Sequence, residues 1–249
     1  MITAAVAMTL YVTYYFVSKP FLRKLSSGAA RSGLPMLSVG TIAERQALFQ
    51  MLLVVGIHLL VAAALTVMIL PLSWWRRQAD QLALQVGLVP LAAFLGVGES
   101  VASGVLAECA FGLLGLADTH RVKRGRRSHL AVQVVSASTG GWMKTIRLAM
   151  EVNLCAGTIL LILQLVCEEI IFRFLLPKCL PGQMWTAGML FVLMQFSGMK
   201  RQIGGVFAAV GACVMAASQG YLAAQTDFLL PLVVAHTAMF LSSRTLTRK

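Results

Sequence analysis

Apolar runs follow one another along most of this sequence, and they constrain the fold more than any other feature. A helix needs about 20 mostly apolar residues to cross the hydrocarbon core of a bilayer. With 58% hydrophobic residues, 12% charged residues and a mean hydropathy of +0.80, the chain has more apolar surface than one soluble core could bury. We therefore predict an all-α fold, a polytopic transmembrane helix bundle. The runs lie at roughly 2–17, 48–72, 82–117, 151–177, 184–198, 203–223 and 228–243.

The run 82–117 decides the number of spans. It is too long for one ordinary span and contains Pro90, Gly96, Gly98 and Glu99, so it forms either one bent helix or two. The bundle then has about seven or eight spans. A single crossing there would place the clusters of Lys and Arg between the runs on the cytoplasmic side, with the N-terminus outside. We expect an integral protein of a bacterial plasma membrane.

The formal net charge of +12 does not indicate a nucleic-acid partner. Its cations lie in short clusters between apolar runs, which is the pattern that orients membrane spans. The basic loop at 118–147 could also bind anionic lipid headgroups or an acidic partner. The five cysteines form no C-x-x-C pair, so the sequence predicts no metal site, and it indicates no cofactor.

One group of polar residues lies inside the run 151–177. Gln164 is followed by the adjacent acids Glu168 and Glu169 and then by Arg173. Each charged side chain at the centre of a bilayer costs about 2.5–3.5 kcal/mol on insertion scales, so such residues usually have a function. An intramembrane polar site is therefore predicted here.

The spacing gives the two acids different neighbours. Glu169 and Arg173 are four residues apart on a helix, in the favourable order for an ion pair. Glu168 is turned about 100° away, with Gln164 one turn before it. Glu169 would then be kept ionised by Arg173, while Glu168 would act as general acid or base. A purely structural ion pair would explain Glu169 and Arg173 but leave Glu168 without a role.

The rise per residue of a helix predicts which other polar residues lie at the same depth in the membrane as Glu168. At 1.5 Å per residue, Glu168, Gln195 and His236 lie about 13, 16 and 12 Å from one membrane face. Convergence of three helices at one depth favours a buried site. Taken singly, His236 could be a core histidine and Gln195 an interhelical hydrogen-bonding residue. The sequence does not indicate what His58 contacts, and this residue is interpreted as packing.

These residues resemble the CPBP family, the membrane-embedded CAAX proteases and bacteriocin-processing proteins also called Abi. The first family motif, E-E-x-x-x-R, is matched in full from Glu168 to Arg173. The second motif, F-x-x-x-H, keeps Phe191 but has Gln195 in place of histidine. The third, a histidine with asparagine four residues later, keeps His236.

Phe240 stands where the third motif has its asparagine. The resemblance covers about residues 150–243. It divides the chain into N-terminal transmembrane helices and the basic loop at 1–150, and CPBP-like catalytic core helices at 151–249.

The resemblance implies roles for the matched residues. Glu168 would be the base that activates water for peptide hydrolysis, His236 would stabilise the oxyanion, and Glu169 and Arg173 would support them. Gln195 can hydrogen-bond a water but cannot take its proton, and Phe240 offers no hydrogen bond.

Three functions remain open from the sequence. The first is a glutamic intramembrane protease, a hydrolase that cuts a peptide or lipidated peptide at the lipid bilayer. The second is a scaffold repurposed for acid/base chemistry, a cyclisation or isomerisation of an apolar small molecule, in a pocket lined by Gln164, Phe191 and Phe240. The third is a non-catalytic relative that confers immunity or binds a partner.

Overall fold

The computed structural model describes residues 2–31, 40–122, 141–179, 183–197 and 204–246. All regular structure in these ranges is helical, which confirms the all-α prediction. Most of the predicted basic loop lies outside the described residues. The elements are α1 (Ile2–Arg31), α2 (Ile42–Ile69), α3 (Leu72–Leu84), α4 (Leu88–Val122), α5 (Gly141–Val152), α6 (Leu154–Glu169), a π-helical turn (Ile170–Leu175), α7 (Leu176–Cys179), α8 (Gln183–Ser197), α9 (Gly204–Thr226) and α10 (Leu229–Leu246).

Among the described residues, two helices are long and apolar enough to cross a membrane by length and composition, namely Ile42–Ile69 and the part Leu88–Ala110 of α4. Shorter apolar stretches occur at Met184–Gln195 and Leu229–Ser242. The predicted count of seven or eight spans therefore stays a prediction. The run 82–117 contributes one long helix from Leu88 onward, in which Pro90 falls in the first turn, where a missing N–H costs no hydrogen bond.

The two long helices are apolar on their outer as well as their inner faces. On α2, Met51 and Val55 are buried while Leu60 and Val67 are 73% and 85% exposed. On α4, Phe94 is 75% exposed. A helix that presents large apolar side chains all round belongs in lipid or in a large core. These faces support the membrane environment that the composition predicts.

The run 151–177 is not one helix, contrary to the prediction. A separate helix ends at Val152, and the Asn153 side chain then caps α6 by accepting a hydrogen bond from the Ala156 amide at 2.9 Å. Asparagine at this position satisfies a backbone donor that the first turn leaves open. At its other end α6 continues into the π turn, a wider turn often found at functional sites. The acidic pair occupies the last two positions of α6.

Two apolar clusters enclose the region around the acidic pair. One surrounds the π turn and includes Trp74 of α3 and Phe191 of α8. The other joins α2, α5 and α6 and includes Met51 and Leu165. The helix α10 runs beside α4, and the two backbones approach so closely that a Cβ at Gly96 would overlap the carbonyl oxygen of Ala235. This contact holds α10 against α4 at Ala235, the residue that precedes His236.

The short helix α3 holds the turn between α9 and α10. Trp74 Nε1 donates to Asp227 Oδ1 at 3.3 Å, and Gln78 Nε2 donates to the Asp227 carbonyl at 2.7 Å. The Leu229 amide donates back to Gln78 Oε1 at 2.8 Å. Asp227 has a positive φ of 48° in this turn, and aspartate tolerates that conformation better than most residues. The start of α10, and with it the register of His236, is thereby fixed.

Candidate active site

Glu169, Arg173 and His236 form one buried group, called here the Glu169 cluster. The three residues are 1%, 2% and 1% exposed. His236 Nδ1 lies 2.7 Å from Glu169 Oε1, and Arg173 Nε lies 3.4 Å from Glu169 Oε2. The ion pair that the four-residue spacing predicts is therefore present. Both oxygens of the Glu169 carboxylate have a cationic or hydrogen-bonding partner.

Arg173 connects this cluster to two further helices. One terminal nitrogen donates to the Met215 carbonyl on α9 at 3.3 Å. The guanidinium also lies over the Phe191 ring of α8, 4.9 Å from its centroid. Such a cation–π contact favours a charged guanidinium in a dry environment. Arg173 thus neutralises Glu169 and ties the π turn to its neighbours.

The orientation of His236 follows from its partners. A carboxylate can only accept, so Nδ1 of His236 donates to Glu169, and Nε2 is left for another task. The ring lies near Phe191 at 6.3 Å between centroids and near Phe240 at 5.4 Å. Phe240 therefore gives the imidazole an apolar neighbour at the position where the CPBP motif has an asparagine.

Glu168 lies in a different environment from Glu169. Gln164 Nε2 donates to Glu168 Oε1 at 2.7 Å, as the one-turn spacing predicts. The residue is 7% exposed, and no ion pair joins it to an arginine or lysine in the part of the chain that the structure describes. It interacts electrostatically with His58 of α2, which is 4% exposed. Gln164, Glu168 and His58 are called here the Glu168 cluster.

Residues 151–241 match a family model described as Rce1-like, type II CAAX prenyl endopeptidase Rce1-like. The resemblance to the CPBP family is confirmed. The Rce1-like segment begins at the end of α5 and extends into α10, so it contains the whole Glu169 cluster. His58 and Glu99 lie outside it. Comparisons with curated proteins and with solved structures returned no match.

The structure does not bring all the predicted site residues of the Rce1-like segment into contact. We expected His236 beside Glu168, but its hydrogen bond goes to Glu169. The reason is direction, because successive helical residues point about 100° apart and α10 lies on the Glu169 side. Gln195 is only partly buried, and its side chain makes no hydrogen bond with any residue within the described ranges. Phe191, one turn before it, provides the contacts to Arg173 and His236 instead.

Sequence analysis missed Glu99 of α4. This acid is 3% exposed and accepts hydrogen bonds from the Ser218 hydroxyl and, at 2.8 Å, from Gln219 Nε2 of α9. It also interacts electrostatically with His236 and Glu169. An acid inside an apolar span is itself a signal of a functional position. The sequence interpretation treated it only as a break in the run 82–117.

His58 was missed for a different reason. Glu168, with which it interacts electrostatically, lies more than a hundred positions away in the chain, and no motif connects the two. Its burial within an apolar helix is the signal that was available.

The arrangement suits acid–base chemistry. It holds one carboxylate that is neutralised and positions an imidazole, and a second that has only an amide donor. In the described part of the chain, no three His, Cys, Asp or Glu side chains are grouped so as to hold a metal ion.

Proposed function

We propose that this protein is a membrane-embedded, CAAX-type endopeptidase in which Glu168 is the general base and His236 the electrophilic partner. The observation that carries the proposal is the contrast between the two adjacent acids. Glu169 engages both His236 and Arg173, whereas Glu168 accepts one hydrogen bond from Gln164. Glu168 is therefore the carboxylate that can take a proton from water.

In this reaction Glu168 acts first as base and then as acid. A water donates a proton to Glu168 as its oxygen attacks the carbonyl carbon of the scissile peptide. A protonated His236 donates through Nε2 to the oxygen that becomes negative, while its Nδ1–H stays hydrogen-bonded to Glu169. The C–N bond then breaks, and Glu168 returns its proton to the leaving nitrogen. The products are a carboxylic acid and an amine.

The surroundings favour a substrate with an apolar part. Phe191 and Phe240 flank the His236 ring, and large apolar side chains cover the outer faces of α2 and α4. The family description names a CAAX prenyl endopeptidase. A peptide that carries a prenyl group on the cysteine of a C-terminal C-a-a-X sequence would combine a scissile bond after that cysteine with a chain that partitions into the bilayer.

The test compares Glu168→Gln with Glu169→Gln. Purified protein in lipid vesicles is incubated with a prenylated CAAX-type peptide, and fragments are measured by mass spectrometry. Glu168→Gln should lower the cleavage rate by at least about 10²-fold, because an amide cannot take a proton. This variant should fold normally, since the substituted amide carries no charge and its oxygen can still accept a hydrogen bond from Gln164. Cleavage by Glu168→Gln at the parent rate would refute the proposal.

One observation favours a second candidate, an acid/base reaction on an apolar small molecule. Phe240 packs against His236 at a position where a hydrogen-bonding residue would serve peptide hydrolysis better. A cyclisation or isomerisation needs no water and gives a product of unchanged mass. Finding such a product, with no peptide fragments, would replace the first candidate. A phenotype that survives Glu168→Gln would instead indicate the non-catalytic relative.

A further inference from the structure

His58 is a buried imidazole that the Rce1-like segment does not contain. It lies on α2, is 4% exposed, and its Nδ1 is 2.8 Å from the carbonyl oxygen of Val54. Because a carbonyl only accepts, Nδ1 carries the proton in the neutral ring, and the lone pair is on Nε2. The edge of the Tyr11 ring packs on the imidazole, with 5.7 Å between centroids and 86° between planes. Val54 therefore sets the tautomer of the His58 ring, and Val54 and Tyr11 together set its orientation.

Packing of α2 against α6 puts His58 at the level of Glu168. Residues that precede His58 join the same apolar cluster as residues that precede Glu168, and residues that follow His58 join the cluster that surrounds the π turn. The first cluster contains Leu48 and Met51 with Leu161 and Leu165, and the second contains Ala62 and Leu65 with Ile170 and Ile171. The imidazole and the carboxylate therefore occupy matching positions along the two helices. Their electrostatic interaction agrees with this placement.

We infer that His58 is a further catalytic residue, whose Nε2 binds the water that Glu168 activates. The inference rests on the proposed function. The water donates one O–H to Glu168 and the other to His58 Nε2, which directs an oxygen lone pair toward the carbonyl carbon. Only the first proton moves, to Glu168 and then to the leaving nitrogen. His58 stays neutral throughout, and the second O–H becomes the hydroxyl of the product acid.

The plain alternative is a core histidine, whose contacts, among them the hydrogen bond to Val54 and the Tyr11 ring contact, serve only packing. Two amide variants separate these roles. The side-chain amide of glutamine reaches roughly the position of Nε2, whereas that of asparagine reaches roughly the position of Nδ1. His58→Gln keeps an acceptor toward the water, and His58→Asn keeps a polar group toward Val54.

The experiment measures kcat and KM for both variants, together with the thermal unfolding midpoint in detergent. We expect His58→Asn to lower kcat by about 10²-fold, because the water is no longer oriented, with KM little changed. His58→Gln should retain most of kcat. The reverse order, with asparagine active and glutamine inactive, would assign His58 a structural role and overturn the inference.

A third variant covers the case in which neither amide folds. His58→Phe preserves an aromatic ring beside Tyr11 and removes both nitrogens. Combined with Glu168→Gln, it should slow the reaction no further than Glu168→Gln alone, since both residues act on one water. Additive losses would overturn the inference. Glu168→Gln serves as the reference in the same assay. If it alone abolishes cleavage while the three His58 variants behave like the parent, the inference fails and the proposed function stands.

Discussion

Glu168 and Glu169 are adjacent in sequence, yet their environments differ. In the Glu169 cluster, two partners bind the two oxygens, and the carboxylate is 1% exposed. In the Glu168 cluster, the carboxylate is 7% exposed, receives one amide hydrogen bond and interacts electrostatically with His58. The comparison shows that one helical step is enough to give two adjacent acids different hydrogen-bonding partners. The helices packed on each side of α6 determine which partners each acid has.

The two clusters also draw on different parts of the chain. All three residues of the Glu169 cluster lie within the Rce1-like segment, whereas the Glu168 cluster takes His58 from α2. If the proposed role of His58 is right, α2 contributes a residue to the site as well as to the helix bundle. Mutations that act on one cluster only can test whether this division is real.

Arg173→Met should give the largest loss of stability. The substitution leaves Glu169 in a buried position without its guanidinium partner, and breaking a buried ion pair in this way typically costs about 3–5 kcal/mol. Chemical denaturation in detergent measures the free energy of unfolding. The double variant Glu169→Gln, Arg173→Met should recover much of the loss, because it removes both charges.

A matched control is the exposed pair Arg147 and Glu151 of α5. These side chains are 51% and 44% exposed, with 3.5 Å between Nε and Oε1. Arg147→Met should change the free energy of unfolding by less than about 1 kcal/mol. Equal losses for Arg147→Met and Arg173→Met would contradict the claim that Glu169 depends on its buried partner.

Much of the Glu169 cluster was predictable from sequence. The Glu169–Arg173 pair followed from a four-residue spacing, and counting helix rise predicted that His236 lies near the acidic pair. The error was one residue, because we paired His236 with Glu168. Depth along an axis can be read from a sequence, but the side of α6 against which α10 packs depends on tertiary contacts such as Gly96 with Ala235.

The Glu168 cluster was less accessible to such reasoning. Gln164 followed from local spacing, but His58 interacts with a residue far away in the chain, and so does Glu99, which lies outside this cluster. Their only local signal was a polar residue inside an apolar helix.

The helix boundaries were also only partly predictable from the sequence. Apolar runs predicted the helices, while Asn153, a capping residue near the start of the run 151–177, divides a run that was expected to be continuous.

Gly96→Ala should give the second-largest loss, and it tests whether the position of α10 maintains the Glu169 cluster. A Cβ at this position would overlap the Ala235 carbonyl, so α4 and α10 must move apart. Overpacking of this kind typically costs about 1–3 kcal/mol. Because Ala235 precedes His236, the cleavage rate should fall as well.

Gly98→Ala is the control on the same helix, since a Cβ there would meet nothing within 4 Å. Alanine is favoured over glycine inside a helix by roughly 0.5–1 kcal/mol, so this variant should be as stable as the parent or more stable. Equal behaviour of the two alanine variants would show that the close approach of α4 and α10 does not matter.

The smallest predicted effect compares two glutamines that hold two acids. Gln164 and Gln219 each donate through Nε2 to a buried carboxyl, at 2.7 Å to Glu168 and 2.8 Å to Glu99. The Oε1 atom of each is buried and accepts no hydrogen bond from a described residue. Glu99 keeps Ser218 as a second donor, but the described residues offer Glu168 no other.

Gln164→Leu should therefore cost more than Gln219→Leu, although both remove one hydrogen bond and one unsatisfied oxygen. The expected difference in the free energy of unfolding is about 1 kcal/mol, the net value of a typical hydrogen bond. Denaturation of both variants and the parent under one condition measures it. A larger loss for Gln219→Leu would mean that Glu99, rather than Glu168, is the acid with too few donors, and the two clusters would have to be compared afresh with Glu99 as the available carboxyl.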